Sequence, residues 1–136
     1  MSDFENFNQQ MIDQFRANGG RMDWGPASMA LLTTTGAKTG RRHLTPLAAF
    51  QEDGRLFVIA SMGGAPRHPA WYHNLVANPA VTVEHAGDTY EATAKVVPAL
   101  ERDVLFAKIV ERMPQFGEYQ DKTSRVIPVI ELARNS

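Results

Sequence analysis

Six short runs with β-strand character constrain this 136-residue chain more than any other feature. "ASMALLTTT" begins at Ala27, and "HLTPLAAF" and "RLFVIAS" follow on either side of the turn residues Glu52, Asp53 and Gly54. "AVTVEH" and "TYEATAKVV" flank Ala86-Gly87-Asp88 as a hairpin, with Tyr90, Ala92, Ala94 and Val96 on one face, and "RVIPVIEL" makes a last strand. Pro46 inside the second run implies an edge strand or a bulge. Short antiparallel strands joined mostly by turns would leave two exposed edges in a flat sheet, and closure into a small barrel removes them.

Helical patterns fall between and before these runs. Phe4, Phe7, Met11, Ile12 and Phe15 recur at helical spacing before Gly19 and Gly20, which predicts an amphipathic helix over residues 1–20. Its expected role is packing on the domain of residues 21–136; docking at a membrane surface is the alternative, disfavoured by an acidic polar face. Pro69 suits the first turn of a short helix that Asn78-Pro79 stops, and Pro98 opens another through about Arg112, with Leu105, Ile109 and Met113 on one face. The expected fold is α+β, with a six-stranded antiparallel barrel as its core.

Composition narrows the chemistry. A net charge of -1 gives no global attraction to nucleic acid. No apolar run approaches the roughly 18 residues a membrane span requires, and the first 20 residues lack a signal-peptide pattern, so a cytoplasmic location is expected. The absence of cysteine removes thiolate nucleophiles, disulfides and cysteine-bound metal centres. His43, His68, His73 and His85 form no HExxH arrangement, and Ser61 does not lie in a G-x-S-x-G elbow, so neither a metal site nor a serine hydrolase is expected.

Two stretches carry binding chemistry. In "TTTGAKTGRRHLTP", Gly36 and Gly40 bracket a turn crowded by Lys38, Arg41, Arg42 and His43. Open backbone amides beside clustered cations suit a phosphate or carboxylate, although the sequence fails the P-loop pattern. In "SMGGAPRHPAWYHNL", Gly63 and Gly64 allow a sharp bend after a strand, leaving Ser61 and the Met62 backbone free to contact a ligand. Trp71 serves equally as a core anchor or a stacking surface. In "PQFGEYQDKTSRVIP", Phe116 and Tyr119 are candidates to line a cavity, and the Tyr119 hydroxyl could donate a hydrogen bond.

Taken together, "LLTTTGAKTGRRHLTPL", "VIASMGGAPRHPAWYHNLVANP" and "YQDKTSRVIPV" resemble the deazaflavin-dependent nitroreductase family of actinobacteria, over about Ser28 to Leu132. The resemblance implies an FMN-binding split-barrel-like fold and coenzyme F-420, with hydride passing to a conjugated acceptor such as an enone, quinone, lactone or nitroaromatic. It places the coenzyme's phosphate and acidic tail on Lys38, Thr39, Gly40, Arg41, Arg42 and His43, and the deazaflavin and its linker along Pro46, Ala60, Ser61, Met62, Gly63, Gly64, Ala65, Pro66, Ala70 and Trp71. Tyr119 or Ser61 would donate a hydrogen bond or proton. Relatives often carry Arg at the positions of Ala37 and His43, and Lys at that of Met62. FMN in the same barrel, or a carrier that holds F-420 without catalysis, are the alternatives, and a monomer or a homodimer would serve.

Overall fold

The computed structural model describes residues 3–135, so Met1, Ser2 and Ser136, together with the side chains of Asp3, Phe4, Glu5 and Trp24, lie outside the described part. Helix α1 (Asp3–Ala17) leads into the two-residue strand β1 (Asp23–Trp24), followed by β2 (Ala27–Thr35), β3 (Arg42–Glu52) and β4 (Arg55–Ile59). A 3₁₀ turn (Met62–Gly64) and helix α2 (Ala70–Ala77) precede the hairpin β5 (Ala80–His85) and β6 (Asp88–Val96). Helices α3 (Ala99–Arg112) and α4 (Gln115–Asp121) lead to β7 (Val129–Arg134).

The strand order β1-β2-β3-β4-β7-β6-β5 closes on itself, because β2 also pairs with β5. Six strands therefore form the barrel, all pairings are antiparallel, and β1 is a short addition beside β2. Two left-handed residues make each tight hairpin: Asp53 and Gly54 between β3 and β4, and Ala86 and Gly87 between β5 and β6.

The unbroken apolar run of β2 follows from burial on both faces. Ala30 and Leu32 point into the barrel with Val58, Val83 and Ile130, whereas Met29 and Leu31 point outward and are covered by Ile12 and Phe15 of α1. Phe15 is fully buried, so the helix is a wall of the domain, and Arg16 ties its last turn to β5 through a two-pronged pair with Glu84. Burial of large apolar side chains, each contributing roughly 1.5–3 kcal/mol, holds α1 far more strongly than that half-exposed pair. On the other side, Phe57, Ile59 and Val129 face outward beneath Leu105 and Phe106 of α3 and Phe116 of α4. Trp71 and Leu75 of α2 join the barrel core.

Three details depart from the sequence expectation. Helix α4 falls in a segment with Pro114 and Gly117 that gives no helical signal. The last strand begins at Val129 rather than Arg125, because Pro128 has no N–H and the Ile127 N–H donates to Gln120 Oε1 at 3.0 Å. Val96 is exposed, and Val97 takes the buried place beneath α3 as the chain leaves the sheet.

Candidate functional site

β3 is more than twice as long as β4, and this inequality opens the site. Residues 49–52 of β3 pair with β4, but its first half, residues 42–48, has β2 on one side and no β4 partner on the other. Pro46 lies in that half, where a missing N–H is tolerated. The chain leaving β4 diverges from β3, and a cleft of about 1160 Å³ lies between them.

Its walls have distinct characters. Leu44, Pro46 and Leu47 of β3, Ile59, Trp71 and Phe116 give an apolar stretch. The turn after β2 supplies Lys38, Thr39 and Arg41, and the start of β3 supplies His43, at the polar end. Lys38, Arg41 and His43 are exposed and make no ion pair among the described residues, so their charge or hydrogen-bonding capacity is unspent. This turn is braced internally by Gly36 N–H to Arg41 O at 2.7 Å and Gly40 N–H to Gly36 O at 3.0 Å. It is held to α2 by Ala37 N–H donating to Asn74 Oδ1 at 3.0 Å and by Asn78 Nδ2 donating to Thr35 O at 3.3 Å. Gly36 is required for a close approach: a Cβ there would stand 3.1 Å from both His43 Nε2 and Thr39 Oγ1.

The loop after β4 forms the facing wall with Ser61, Met62 and Gly63. Met62 adopts φ 47° without being glycine, an unfavourable conformation held by its surroundings. Gly63 has nothing within 4 Å of its Cβ position, whereas a Cβ on Gly64 would meet Tyr119 O at 2.6 Å. The two glycines thus divide the work: one keeps the approach to the cleft open, the other seats the loop on α4. The Ser61 side chain makes no cap hydrogen bond, which leaves its hydroxyl available at the cleft wall.

The structure gathers Lys38, Thr39, Arg41, His43, Pro46, Ser61, Met62, Gly63, Ala70 and Trp71 around one cleft. Other expected positions lie off it. Arg42 reaches across the end of β2 and donates to Thr82 Oγ1 at 3.0 Å, because alternation along β3 sends it to the face opposite His43. Gly40 shapes the basic turn with φ 73°, while Ala60, Gly64, Ala65 and Pro66 support the loop without lining the cleft. Tyr119 meets Phe116 edge to face at 5.5 Å, and Phe116 rather than Tyr119 lines the cleft. Sequence reasoning did not single out Asn8, Asn74 or Arg125. The four-residue spacing of Asn74 and Asn78 on α2 was a usable signal for a brace; Arg125 sat inside an expected strand and carried none.

A model of the F-420H2-dependent quinone reductase family matches residues 7–133. The chain belongs to this family. It is an oxidoreductase whose cofactor is coenzyme F-420, which settles the choice against FMN and against a non-catalytic carrier. A Mycobacterium tuberculosis protein named as an F-420H2-dependent quinone reductase is 38% identical over 121 residues, spanning 85% of this chain and 79% of its own. A solved F-420H2-dependent reductase is 41% identical with a TM-score of 0.69, covering 76% of this chain and 92% of that one. Another structure, described as a domain-swapped dimer, is 37% identical with a TM-score of 0.72, covering 91% and 92%.

The donor set fits this cofactor. Unpaired cations at one end of the cleft suit an acidic tail, and the apolar stretch beside an unobstructed Gly63 suits a flat ring.

Proposed function

We propose that this chain reduces quinones, with the acidic tail of F-420 on Lys38, Arg41 and His43 and its deazaflavin ring along Pro46, Leu47, Ile59 and Trp71. One observation carries the reading: an unpaired cationic turn and an apolar wall share one cleft, at the place where β3 and β4 separate. Its volume exceeds the roughly 300–1,000 Å³ of an ordinary small-molecule pocket, in keeping with a coenzyme and an acceptor held together.

When bound, the reduced deazaflavin supplies the hydride. The chain's residues bind, orient and exclude water. Lys38 and Arg41 neutralise the tail, while the apolar wall keeps water from the ring. Ser61 is the hydrogen-bond donor of choice for an acceptor carbonyl oxygen, since its hydroxyl stands at the cleft and is not spent on a cap. Asn8 and Phe116 also line the cleft and are the residues left to meet a planar quinone. The similarity to a domain-swapped dimer supports a homodimer as the assembly, which sedimentation at varied concentration would decide.

The test is a fluorescence titration with F-420, followed by turnover with a quinone panel. Lys38→Ala/Arg41→Ala should weaken binding by roughly 3–6 kcal/mol, because each charge-assisted hydrogen bond contributes roughly 1.5–3 kcal/mol. The salt dependence of binding should shrink with it. Wild-type affinity in the double variant would place the tail elsewhere.

A further inference from the structure

Arg125, in the segment between α4 and β7, has no ion-pair partner among the described residues. Its guanidinium is instead surrounded by neutral acceptors. Nη1 donates to Ala60 O at 3.1 Å and to His68 Nδ1 at 2.9 Å; Nη2 donates to Ser61 O and Nε to Ala65 O, both at 2.8 Å. Ala60 and Ser61 lead into the 3₁₀ turn and Ala65 leads out of it. One side chain therefore grips both ends of the loop whose middle, Met62 and Gly63, lines the cleft. Arg125 itself does not line the cleft.

The grip explains a conformation that local preference would not produce. Met62 at φ 47° is unfavourable for a residue with a side chain, and the loop's own bonds are few: Gly64 N–H to Ser61 O at 2.9 Å and Ala65 N–H to Met62 O at 3.1 Å. With the guanidinium removed, the Ala60 and Ala65 carbonyls would lose these donors, leaving the two bonds within the loop, Ala60 N–H to Pro128 O at 3.0 Å and the packing of Gly64 on α4 to hold its ends.

His68 completes the arrangement only while neutral. Its Nδ1 accepts from Arg125, so its ring proton belongs on Nε2. Among the described residues, the groups facing it are Arg125, Tyr72 and His73, the last two from α2 with ring centres at 4.5 Å and 5.8 Å, and none of these is a carboxylate. Burial, then Arg125 and His73, hold its proton affinity below the ordinary histidine value. Protonation would set N–H against N–H and push the guanidinium from its seat.

We propose that Arg125, with neutral His68 as its fourth acceptor, is the positioning residue for the coenzyme loop, fixing residues 61–63 in the shape that receives F-420 without touching the coenzyme. This rests on the reading of the cleft as the F-420 site. It adds that coenzyme affinity depends on a side chain outside the cleft and falls in acid as His68 takes a proton.

The experiment titrates F-420 by fluorescence against wild type, Arg125→Met, Arg125→Lys and His68→Gln from about pH 8 to about pH 5, and measures amide hydrogen exchange of the loop in the coenzyme-free proteins. Arg125→Met is expected to weaken F-420 binding at least about tenfold and to speed exchange at Gly63 and Gly64, with partial rescue by Arg125→Lys, whose single ammonium cannot reproduce the fork. His68→Gln, whose amide oxygen can accept the same bond without titrating, is expected to lose less affinity in acid than wild type. Arg125→Met with wild-type affinity and unchanged loop exchange would overturn the proposal. Should Arg125→Met fail to fold, wild-type affinity in Arg125→Lys together with an undiminished acid loss in His68→Gln would overturn it. Wild type that binds no F-420 would instead overturn the reading of the cleft, and loop exchange in the coenzyme-free variants would still judge the Arg125 clamp.

Discussion

Gly64→Ala separates two reasons for a glycine that are usually confounded. Its φ is +86°, and an added Cβ would stand 2.6 Å from Tyr119 O, 3.0 Å from Lys122 Cβ and 3.1 Å from Tyr119 Cα. The left-handed backbone costs a residue with a Cβ roughly 1–2 kcal/mol. The clash is with helix backbone, which cannot swing aside, and overpacking of that kind costs typically 1–3 kcal/mol more. The sum is about 2–5 kcal/mol, less about 0.4–1 kcal/mol regained because alanine restricts the unfolded chain. For a domain of this size each kcal/mol lowers Tm by about 3–4 °C, so a fall of roughly 3–18 °C is expected. Gly63→Ala is the control: its φ is +66° but nothing lies within 4 Å of the Cβ position, so it bears the backbone cost alone. Urea denaturation of both variants, followed by circular dichroism, should show Gly64→Ala less stable by about 1–3 kcal/mol. Equal destabilisation would refute the claim that α4 is a rigid seat for the loop after β4.

Other expectations concern pH. Glu131, with its side chain 18% exposed, is held below the usual glutamate value first by its hydrogen bond from Arg55. A lowered folded-state value means stability that is present above the unfolded value near 4.5 and lost as pH falls through the folded one, so Glu131→Gln should lower the urea midpoint at neutral pH and flatten the acid decline. An unchanged slope below about pH 4.5 would sink that assignment. His85, buried and 2.7 Å from Ser28 Oγ through Nε2, has its proton affinity lowered chiefly by burial, with Asp23 opposing and Arg21 adding. Here the unfolded chain takes the proton more readily, so stability falls as pH drops from about 6.5 toward the folded value. His85→Gln should narrow the difference in urea midpoint between about pH 7.5 and about pH 5, while His68, shifted in the same direction, keeps part of it. No narrowing would show that His85 is not a source of the acid loss.

The strands were legible wherever local chemistry decided them. β2 spans the residues its apolar run predicts, and Asp53-Gly54 and Gly87 turn the chain where their tolerance of positive φ says they should, with Ala86 drawn into the same region by the second turn. Helix α4 was illegible because Gly117, a poor helix residue, is present for a contact made elsewhere: a Cβ there would stand 3.2 Å from Val110 Cγ1 of α3. The same division runs through the site. Clustered cations and paired glycines announced the basic turn and the loop, since those residue types carry their own conformational and electrostatic signatures. Arg41 and Arg42 read as equivalent neighbours, yet Arg42 begins β3 and strand alternation turns it away from His43. That distinction needs the strand boundary, which sequence locates only to within a few residues. Arg125 was further from reach, because the carbonyls that it gathers become neighbours only after the barrel has closed.

The cleft itself arises from an inequality between strands. Had β4 matched the eleven residues of β3, the two would have paired throughout and sealed the barrel where the cleft now opens. After β4 ends at Ile59, Ser61 is already helical and Met62, Gly63 and Gly64 all take positive φ, which bends the chain away, and Arg125 fixes the bend against the strand's natural continuation. The exposed half of β3 would then be a liability, an open edge that invites another strand. Pro46 lies in that half, and its missing N–H breaks the row of donors an incoming strand would need. An edge that discourages a strand but keeps its apolar side chains is well suited to a flat ligand, which stacks on side chains and asks little of the backbone. The proline that marked an edge in the sequence therefore also marks where the proposed coenzyme site opens.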